Sequence, residues 1–373
     1  MRHAAFAILV FLVTGAGSFN ARAFEAATPT DSQVERCRQA GEFEKFCLSG
    51  YVVSGLKLPS EAVTLGPLSS TGKMAIYKPD GPGPFPALII MHSCGAIVPE
   101  QTGYWVKSAL ANGYVAFILD SWSQRGLPNG SCDVSPGFNS ITVRVRDAYD
   151  ALARLAEIPA IDVTRVAAIG FSHGGRVAYL LSNSNLARMF GRRDIHFAAN
   201  VSVYGECYNR PTKSAYLRGP IETPLLALLG DRDEDGDIRE CEPRLKELQA
   251  SGSPVEWHVF AGAGHAWDQP NFQSATMRPY PGSTSGSVLY KYDAKVTDET
   301  RARVRVSQWA LEAINGLRLE LEVINALVER AVILVMQHLV QALARHHVGH
   351  DVRIGFVALQ SAIPLFDILH GEA

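Results

Sequence analysis

The sequence predicts an α/β fold with a mostly parallel, doubly wound sheet and helices on both faces. Two observations predict it. Apolar runs of strand length alternate with helical stretches of about 10–15 residues, which is typical of βαβ units. The apolar runs are continuous rather than alternating, which indicates strands buried on both faces. In such sheets functional groups lie on loops at the carboxyl ends of the strands, and we expect the site there.

The elements follow in order from local signals. Pro79 ends the first strand in a turn-rich segment, and apolar residues at helical spacing, such as Val143, Ala148 and Leu152, mark a helix. The predicted strands are Lys73–Lys78, Ala87–Met91, Val115–Leu119, Val166–Phe171, Ala198–Tyr204, Leu225–Gly230 and Val255–Phe260. The predicted helices are Ser32–Phe46, Tyr104–Ala111, Asn139–Glu157, Gly175–Asn183, Glu242–Ala250 and Glu299–Ile314.

The composition is that of a globular protein. Hydrophobic residues make up 47% of the 373 positions and charged residues 19%. Lys and Arg number 35 and Asp and Glu 37, so the net charge of −2 provides no positive field for nucleic acid. We therefore expect a small-molecule partner and no nucleic acid, and the sequence leaves the oligomeric state open.

The two ends of the chain are predicted to lie outside the α/β domain. Residues 1–23 combine a short basic start, a short apolar run and a final Ala-Arg-Ala, which is the pattern of a secretory signal peptide. We expect an exported protein, periplasmic or secreted, with no transmembrane span in the mature chain. Residues 24–316 form the predicted domain, and residues 317–373 a helical C-terminal appendage of uncertain role.

The six cysteines all follow the predicted leader. An even number in an oxidising compartment favours disulfides over metal ligation, and no Cys-x-x-Cys motif occurs. The residues alone do not choose among the many possible pairings.

The segment Gly170–Gly175 (G-F-S-H-G-G) carries the clearest chemical motif. A G-x-S-x-G sequence between an apolar strand and a helix is typical of a nucleophile elbow, in which small neighbours allow the strained serine to be exposed. The motif predicts Ser172 as a nucleophile. A serine hydroxyl needs a base to take its proton and an acid to orient that base.

The base and the acid are expected downstream of Ser172, in the order acid and then histidine. Strand Leu225–Gly230 is followed by the acidic run Asp231–Asp235, and strand Val255–Phe260 is followed by a glycine-rich loop containing His265. We therefore predict His265 as the general base and a carboxylate of the acidic run as its partner.

Acyl transfer also needs two N–H donors for the oxyanion. One is predicted to be the N–H of His173, the residue after the nucleophile. The other is assigned to the N–H of Cys94, in the loop His92–Gly95 after strand Ala87–Met91.

With these residues in place, the chain resembles the dienelactone hydrolase family of α/β-hydrolases, in particular exported members with a serine nucleophile. The resemblance extends from about Met74 to Ile314. It rests on the segments Pro82–Ala87, His92–Gly95, Asp120–Gly126, Asp162–Val166, Gly170–Gly175 and Gly262–Asp268.

The resemblance implies Asp233 as the acid, with Asp231 in reserve, and Cys94–Cys132 and Cys207–Cys241 as disulfides. Cys37–Cys47 remains as the third pair, which requires a helix break near Gly41 because one continuous helix would separate the two residues too far. This sequence departs from the family at Ser93, where a glycine is usual, and at Ser172, where the namesake enzymes have cysteine.

The acidic run also fits a competing motif. Asp231–Glu242 matches the calcium-binding pattern D-x-D-x-D-G-x5-E, but an apolar strand precedes it where an EF-hand has a helix. A calcium-loaded, non-catalytic binding module on the same scaffold is therefore the alternative function. The preferred function is hydrolysis of a carboxylic ester or lactone through an acyl-serine, which needs no cofactor and no metal.

Three residues on strand-end loops are candidates for contacts with the substrate. Trp122 and Trp267 would pack an acyl or aryl group, and Arg125 would hold a carboxylate. The alternative is that both tryptophans are packing residues and that Arg125 bridges loops.

Overall fold

The computed structural model describes residues 30–39, 47–49, 56–59, 63–64, 72–127, 140–209, 214–280 and 283–306. The chain divides into two compact units, Met1–Ala310 and Leu311–Ala373, and every described residue belongs to the first. The predicted signal peptide 1–23 and the predicted appendage 317–373 lie outside the described residues. No helix in the described part of the chain has the length and apolar character needed to cross a membrane.

A mostly parallel sheet organises the domain. The strands are β1 Val63–Thr64, β2 Ala75–Lys78, β3 Phe85–Met91, β4 Val115–Leu119, β5 Ile161–Phe171, β6 Ala199–Val203, β7 Tyr208–Asn209, β8 Ser214–Ala215, β9 Leu225–Gly230, β10 Val255–Phe260, β11 Thr276–Pro279 and β12 Ser287–Tyr290. Among the described residues, eight of them form one sheet in the order β1-β2-β4-β3-β5-β6-β9-β10. Strand β2 runs antiparallel to β4, and the other neighbouring pairs are parallel.

Helices cover both faces of this sheet. They are α1 Asp31–Gln39, α2 Pro99–Ala111, α3 Ser140–Leu155, α4 His173–Leu181, α5 Ser184–Phe190, α6 Ile238–Ala250 and α7 Ala294–Val306. Side chains alternate along β3: Ile89 packs in one core with residues of α3 and α4, whereas Ile90 packs in the other with residues of α2 and α7. The predicted α/β fold with a doubly wound sheet is confirmed.

Some element bounds agree with the sequence prediction, whereas β5, α6 and α7 begin four or five residues earlier than predicted. Strands β4, β9 and β10 begin and end where they were predicted. Helix α2 begins earlier, at Pro99, because proline is well accommodated in the first helical turn. The prediction did not include α5, a short helix capped by Asn183, whose side chain accepts from two backbone N–H groups. It also did not include the hairpin β11–β12.

Candidate active site

The site begins at Ser172, where β5 passes directly into α4. Ser172 has φ 53° and ψ −113°, and its N–H donates to the carbonyl of Val203 at 2.9 Å. A Cβ at Gly170 would lie 2.0 Å from the carbonyl oxygen of Gly174, and one at Gly174 would lie 2.4 Å from that of Met91. The turn is therefore closed to any larger residue at these two positions, as the G-x-S-x-G motif predicts.

Three predicted residues meet in one hydrogen-bonded row. His265 Nε2 lies 2.9 Å from Ser172 Oγ, and His265 Nδ1 lies 2.8 Å from Asp233 Oδ2. All three residues are buried: Ser172 is 8% exposed, His265 1% and Asp233 2%. In the arrangement that satisfies all three groups, Nδ1–H donates to the carboxylate and Nε2 accepts the serine hydroxyl proton. This is the arrangement in which a serine can be deprotonated.

The hairpin β11–β12 holds the His265 loop in place. The N–H of His265 donates to the carbonyl of Leu289 at 2.6 Å, and the N–H of Lys291 donates back to the carbonyl of His265 at 3.3 Å. The imidazole lies edge-on between Tyr204 and Tyr290, with ring centroids 4.8 Å and 4.9 Å away. The histidine is therefore fixed both through its backbone and through its ring.

A buried carboxylate anchors the same loop to α2. Asp268 accepts hydrogen bonds from Gln101 Nε2 at 2.8 Å, from Trp105 Nε1 at 2.9 Å and from the Tyr204 hydroxyl at 2.5 Å. Burial raises the pKa of Asp268, although these donors oppose the rise. Because Tyr204 also contacts the His265 ring, this network links the position of the histidine to the packing of α2.

The acidic run after β9 directs its carboxylates to different partners. Asp231 Oδ1 accepts from the N–H of Gly262 at 2.7 Å, so the reserve acid braces a neighbouring turn, whereas Asp233 bonds to His265. Asp237 caps α6, and Glu242 pairs with Lys246 at 3.1 Å. Within the described ranges, no group of three or more His, Cys, Asp or Glu is placed to hold a metal ion. The calcium alternative therefore lacks converging ligands.

A second carboxylate lies beside the imidazole. Asp235 Oδ2 is 3.6 Å from His265 Nε2, and its other oxygen lies 3.3 Å from Arg176 Nη2. The same Arg176 nitrogen lies 3.0 Å from Glu206, which also accepts from the Tyr280 hydroxyl at 3.1 Å. Burial by itself lowers the pKa of His265, but the Asp233 and Asp235 carboxylates outweigh it and raise that pKa above the usual value.

The two predicted oxyanion donors lie on adjoining segments. His173 is the first residue of α4, where backbone N–H groups have no partner within the helix. Cys94 lies in a tight turn closed by a bridge between Ser93 and Ala96, and it forms a disulfide bond. Its predicted partner, Cys132, lies outside the described residues.

The other two predicted disulfides are present. Cys37–Cys47 and Cys207–Cys241 each have Cα atoms 5.4 Å apart. Gly41, where a helix break was expected, lies outside the described residues, but α1 ends before it at Gln39.

The three predicted substrate contacts have partners in the interior of the structure. Trp122 and Trp267 are fully buried, and the indole N–H of Trp267 donates to Thr300 Oγ1 at 2.9 Å. The side chain of Arg125 is 3% exposed and forms a bidentate pair with Asp147, at 2.7 Å for both bonds. A guanidinium already paired in the interior is not available to a substrate carboxylate, so the packing alternative describes these residues better.

Several residues around the site were not predicted. They are Arg144, Arg176, Tyr204, Glu206, Asp235 and Tyr290. Only Asp235 carried a sequence signal, since it belongs to the acidic run after β9. Arg176 directly follows the Gly170–Gly175 segment but is not part of its motif, and the others come from segments that carry no motif.

Known proteins provide an independent comparison. A protein of Escherichia coli K12 that carries the name carboxymethylenebutenolidase is 24% identical over 207 residues, covering 52% of this chain and 73% of its own. A protein of Methylorubrum extorquens with the same name is 21% identical over 232 residues, covering 59% and 73%. Among solved structures, an α/β-hydrolase from a deep-sea metagenome has a TM-score of 0.44 at 19% identity, covering 67% of this chain and 90% of its own.

The family assignment rests on a broader match. The sequence model of the dienelactone hydrolase family matches residues 73–305, which include the nucleophile elbow, the acidic run and the His265 loop. A match to this family supports the assignment of the chain as a hydrolase of the ester or lactone type. Since the match covers more than half of the chain, this protein belongs to the dienelactone hydrolase family.

Proposed function

We propose that this chain is a serine hydrolase that cleaves a carboxylic ester or lactone through an acyl-Ser172 intermediate. The observation that carries the proposal is the row of hydrogen bonds from Ser172 through His265 to Asp233. Each of the three residues lies on a different strand-end loop, and all three are buried, so the row is held by the fold rather than by chance surface contact.

The first half-reaction forms the acyl-enzyme. Ser172 Oγ attacks the carbonyl carbon while His265 Nε2 takes the hydroxyl proton, and Asp233 stabilises the resulting imidazolium. The N–H groups of Cys94 and His173 receive the negative charge that develops on the carbonyl oxygen. When the C–O bond breaks, the proton passes from Nε2 to the leaving oxygen.

The second half-reaction releases the acid. Water gives a proton to His265 Nε2 and attacks the acyl carbon, and collapse of the oxyanion returns the proton to Ser172 Oγ. For a lactone, the leaving alcohol stays attached to the acyl group, so the product is a single hydroxy acid. Every step uses only acid–base and covalent chemistry from the residues described.

A fluorophosphonate probe tests the nucleophile directly. The wild type should be labelled covalently with loss of esterase activity, and Ser172→Ala should not be labelled. Ser123→Ala is the matched control, since it removes a serine from a neighbouring strand-end loop outside the hydrogen-bonded row. Equal labelling of wild type and Ser172→Ala would reassign the nucleophile, and no labelling of either would favour a non-catalytic binding module.

A panel of substrates defines the reaction more closely. Short-chain aliphatic esters, aryl esters and five-membered lactones should be compared by kcat/KM, with Ser172→Ala as the blank. We expect hydrolysis within the ester and lactone series and none of the matched amides. Cleavage of amides at comparable rates would instead indicate a peptidase.

Export completes the proposal. Disulfides persist in oxidising compartments, and two are formed in the described part of the chain. Expression in a bacterial host followed by intact-mass analysis of the periplasmic fraction should give a chain that begins near Phe24. A cytoplasmic protein that retains residues 1–23 would contradict export while leaving the chemistry untouched.

A further inference from the structure

A buried arginine contacts both segments assigned to the oxyanion. Arg144 lies on α3 and is 2% exposed. Its Nη2 donates to the carbonyl oxygen of His92 at 2.5 Å, and its Nη1 donates to His173 Nδ1 at 2.8 Å. The guanidinium also lies over the indole ring of Trp122, 5.2 Å from the ring centroid.

The charge of Arg144 has no direct counter-ion. In the part of the chain that the structure describes, Arg144 forms no ion pair with a carboxylate. Arg146 on the same helix, by contrast, pairs with Asp147 at 3.9 Å and with Asp150 at 3.4 Å. The Asp147 and Asp120 carboxylates act on Arg144 only from beyond ion-pair distance, where they oppose the effect of burial on its pKa. Its direct partners are the His92 carbonyl and the His173 and Trp122 rings.

The two histidines that adjoin Arg144 do not share its charge. Burial, followed by the Arg144 charge, lowers the pKa of His92 to about 3 and lowers that of His173 well below the usual value. Burial also lowers the pKa of Arg144, to about 9, which still leaves the guanidinium charged at neutral pH. The Arg144 guanidinium is therefore a positive charge in direct contact with both oxyanion segments, at the His92 carbonyl and at the neutral His173 ring.

We propose that Arg144 is a positioning residue that assembles the oxyanion hole and places positive charge behind it. This inference rests on the proposed serine-hydrolase function. Its bond to the His92 carbonyl fixes the entry to the turn that carries Cys94. Its bond to the His173 ring fixes the first residue of α4, whose N–H is the other predicted donor. One side chain thus aligns the two predicted donors, which belong to segments separated in the sequence.

The electrostatic effect is greatest in the transition state. The carbonyl oxygen gains a full negative charge there, in a site of low dielectric constant where a nearby cation is weakly screened. Donation to the His92 carbonyl also polarises the adjoining peptide group. The ground-state ester is neutral and is stabilised less by the Arg144 charge than the transition state is. Replacing Arg144 should therefore change kcat and not KM.

The experiment compares Arg144→Met with Arg146→Met, which removes a second buried arginine from the same helix. For Arg144→Met we expect kcat for a short-chain aryl ester to fall about 10²-fold, near the loss on removing one oxyanion donor, with KM within about threefold. The affinity of an aryl boronic acid, whose serine adduct places a charged tetrahedral centre in the site, should fall by a similar factor. Arg146→Met should change neither kcat nor the boronic acid affinity by more than about threefold.

The outcomes separate this inference from the proposed function. If the wild type hydrolyses the ester and Arg144→Met matches it in kcat and in boronate affinity, the positioning role is overturned and the hydrolase stands. If both variants lose activity equally, the effect is structural and the role is likewise overturned. If Arg144→Met does not fold, Arg144→Lys decides: about a tenfold loss in both measurements supports the role, and wild-type values overturn it. A wild type that is inactive and unlabelled overturns the proposed function itself.

Discussion

Asp233→Asn should disable the site while leaving its shape unchanged. Asp233 Oδ2 lies 2.8 Å from His265 Nδ1, and its other oxygen accepts from the N–H of Asp235 at 2.9 Å. An asparagine has the same size but no charge, and its amide NH₂ facing Nδ1 would favour the tautomer with the proton on Nε2. That tautomer cannot accept the proton of Ser172.

The size of the expected loss in kcat follows from the distance between the Asp233 carboxylate and the His265 ring. Two unit charges 2.8 Å apart in a medium of effective dielectric constant about 20 attract by about 6 kcal/mol, and this attraction is gained only when His265 becomes an imidazolium. At about 1.4 kcal/mol per factor of ten, the expected loss in kcat is about 10⁴-fold. Contacts with the oxyanion would still provide residual catalysis over water.

The assay is steady-state hydrolysis of an aryl ester, with thermal unfolding measured in parallel. Asp231→Asn is the matched control: it neutralises a carboxylate of the same loop that contacts Gly262 rather than His265, and it should keep activity within about threefold. The reasoning is refuted if Asp233→Asn keeps more than a tenth of the wild-type kcat, or if Asp231→Asn loses as much as Asp233→Asn.

Four further predictions concern charge and cross-linking. The raised pKa of His265 means that kcat/KM should fall as the pH drops through a midpoint above the usual 6.5, because the base must be neutral. Removing a nearby negative charge with Asp235→Asn should move that midpoint to lower pH, as a pH–rate profile will measure. The same variant should improve kcat/KM for the mono-aryl ester of glutaric acid relative to aryl butyrate, because Asp235 repels an anionic substrate near the reacting atoms. Replacing Cys207 and Cys241 by alanine opens a loop with a sequence separation of 34 residues, so the free energy of unfolding should fall by about 4 kcal/mol in a denaturant titration.

The sheet and the strand-end loops could be predicted because their signals are local. A buried strand such as β9 is an uninterrupted apolar run, and the elbow around Ser172 has a fixed pattern of glycines. The order of nucleophile, acid and histidine then places His265 and the acidic run without any knowledge of contacts.

The supporting residues could not be predicted because their partners are distant in sequence. Gln101 and Asp268 are 167 positions apart, and Arg144 resembles any polar residue of an amphipathic helix until its two acceptors are known. The hairpin β11–β12 has a largely exposed first strand that contains a proline, so it shows no apolar alternation. Trp122 and Arg125 were misplaced for the same reason: a strand-end position does not reveal whether a side chain faces substrate or the interior.

The loop lengths explain how the row of hydrogen bonds closes. Strands β5, β6, β9 and β10 are neighbours in that order, and adjacent strands lie about 4.8 Å apart. Ser172, at the end of β5, is therefore about 10 Å from the end of β9 and about 14 Å from that of β10. The histidine loop has to reach back across both intervening strands, which is why His265 lies farther beyond its strand than Asp233 does.

Strand β6, which lies between β5 and β9, contributes to the position of His265. Strand β6 contributes no member of the row, but it is followed by Tyr204, which has φ 42° and packs its ring against His265. The Tyr204 hydroxyl in turn bonds to Asp268. Tyr204, the residue after β6, packs against the imidazole across this gap, in addition to the contacts that Tyr290 and Leu289 make with His265. Tyr204 and Asp268 thus link the His265 ring to the end of β6, one of the two strands that lie between β5 and β10.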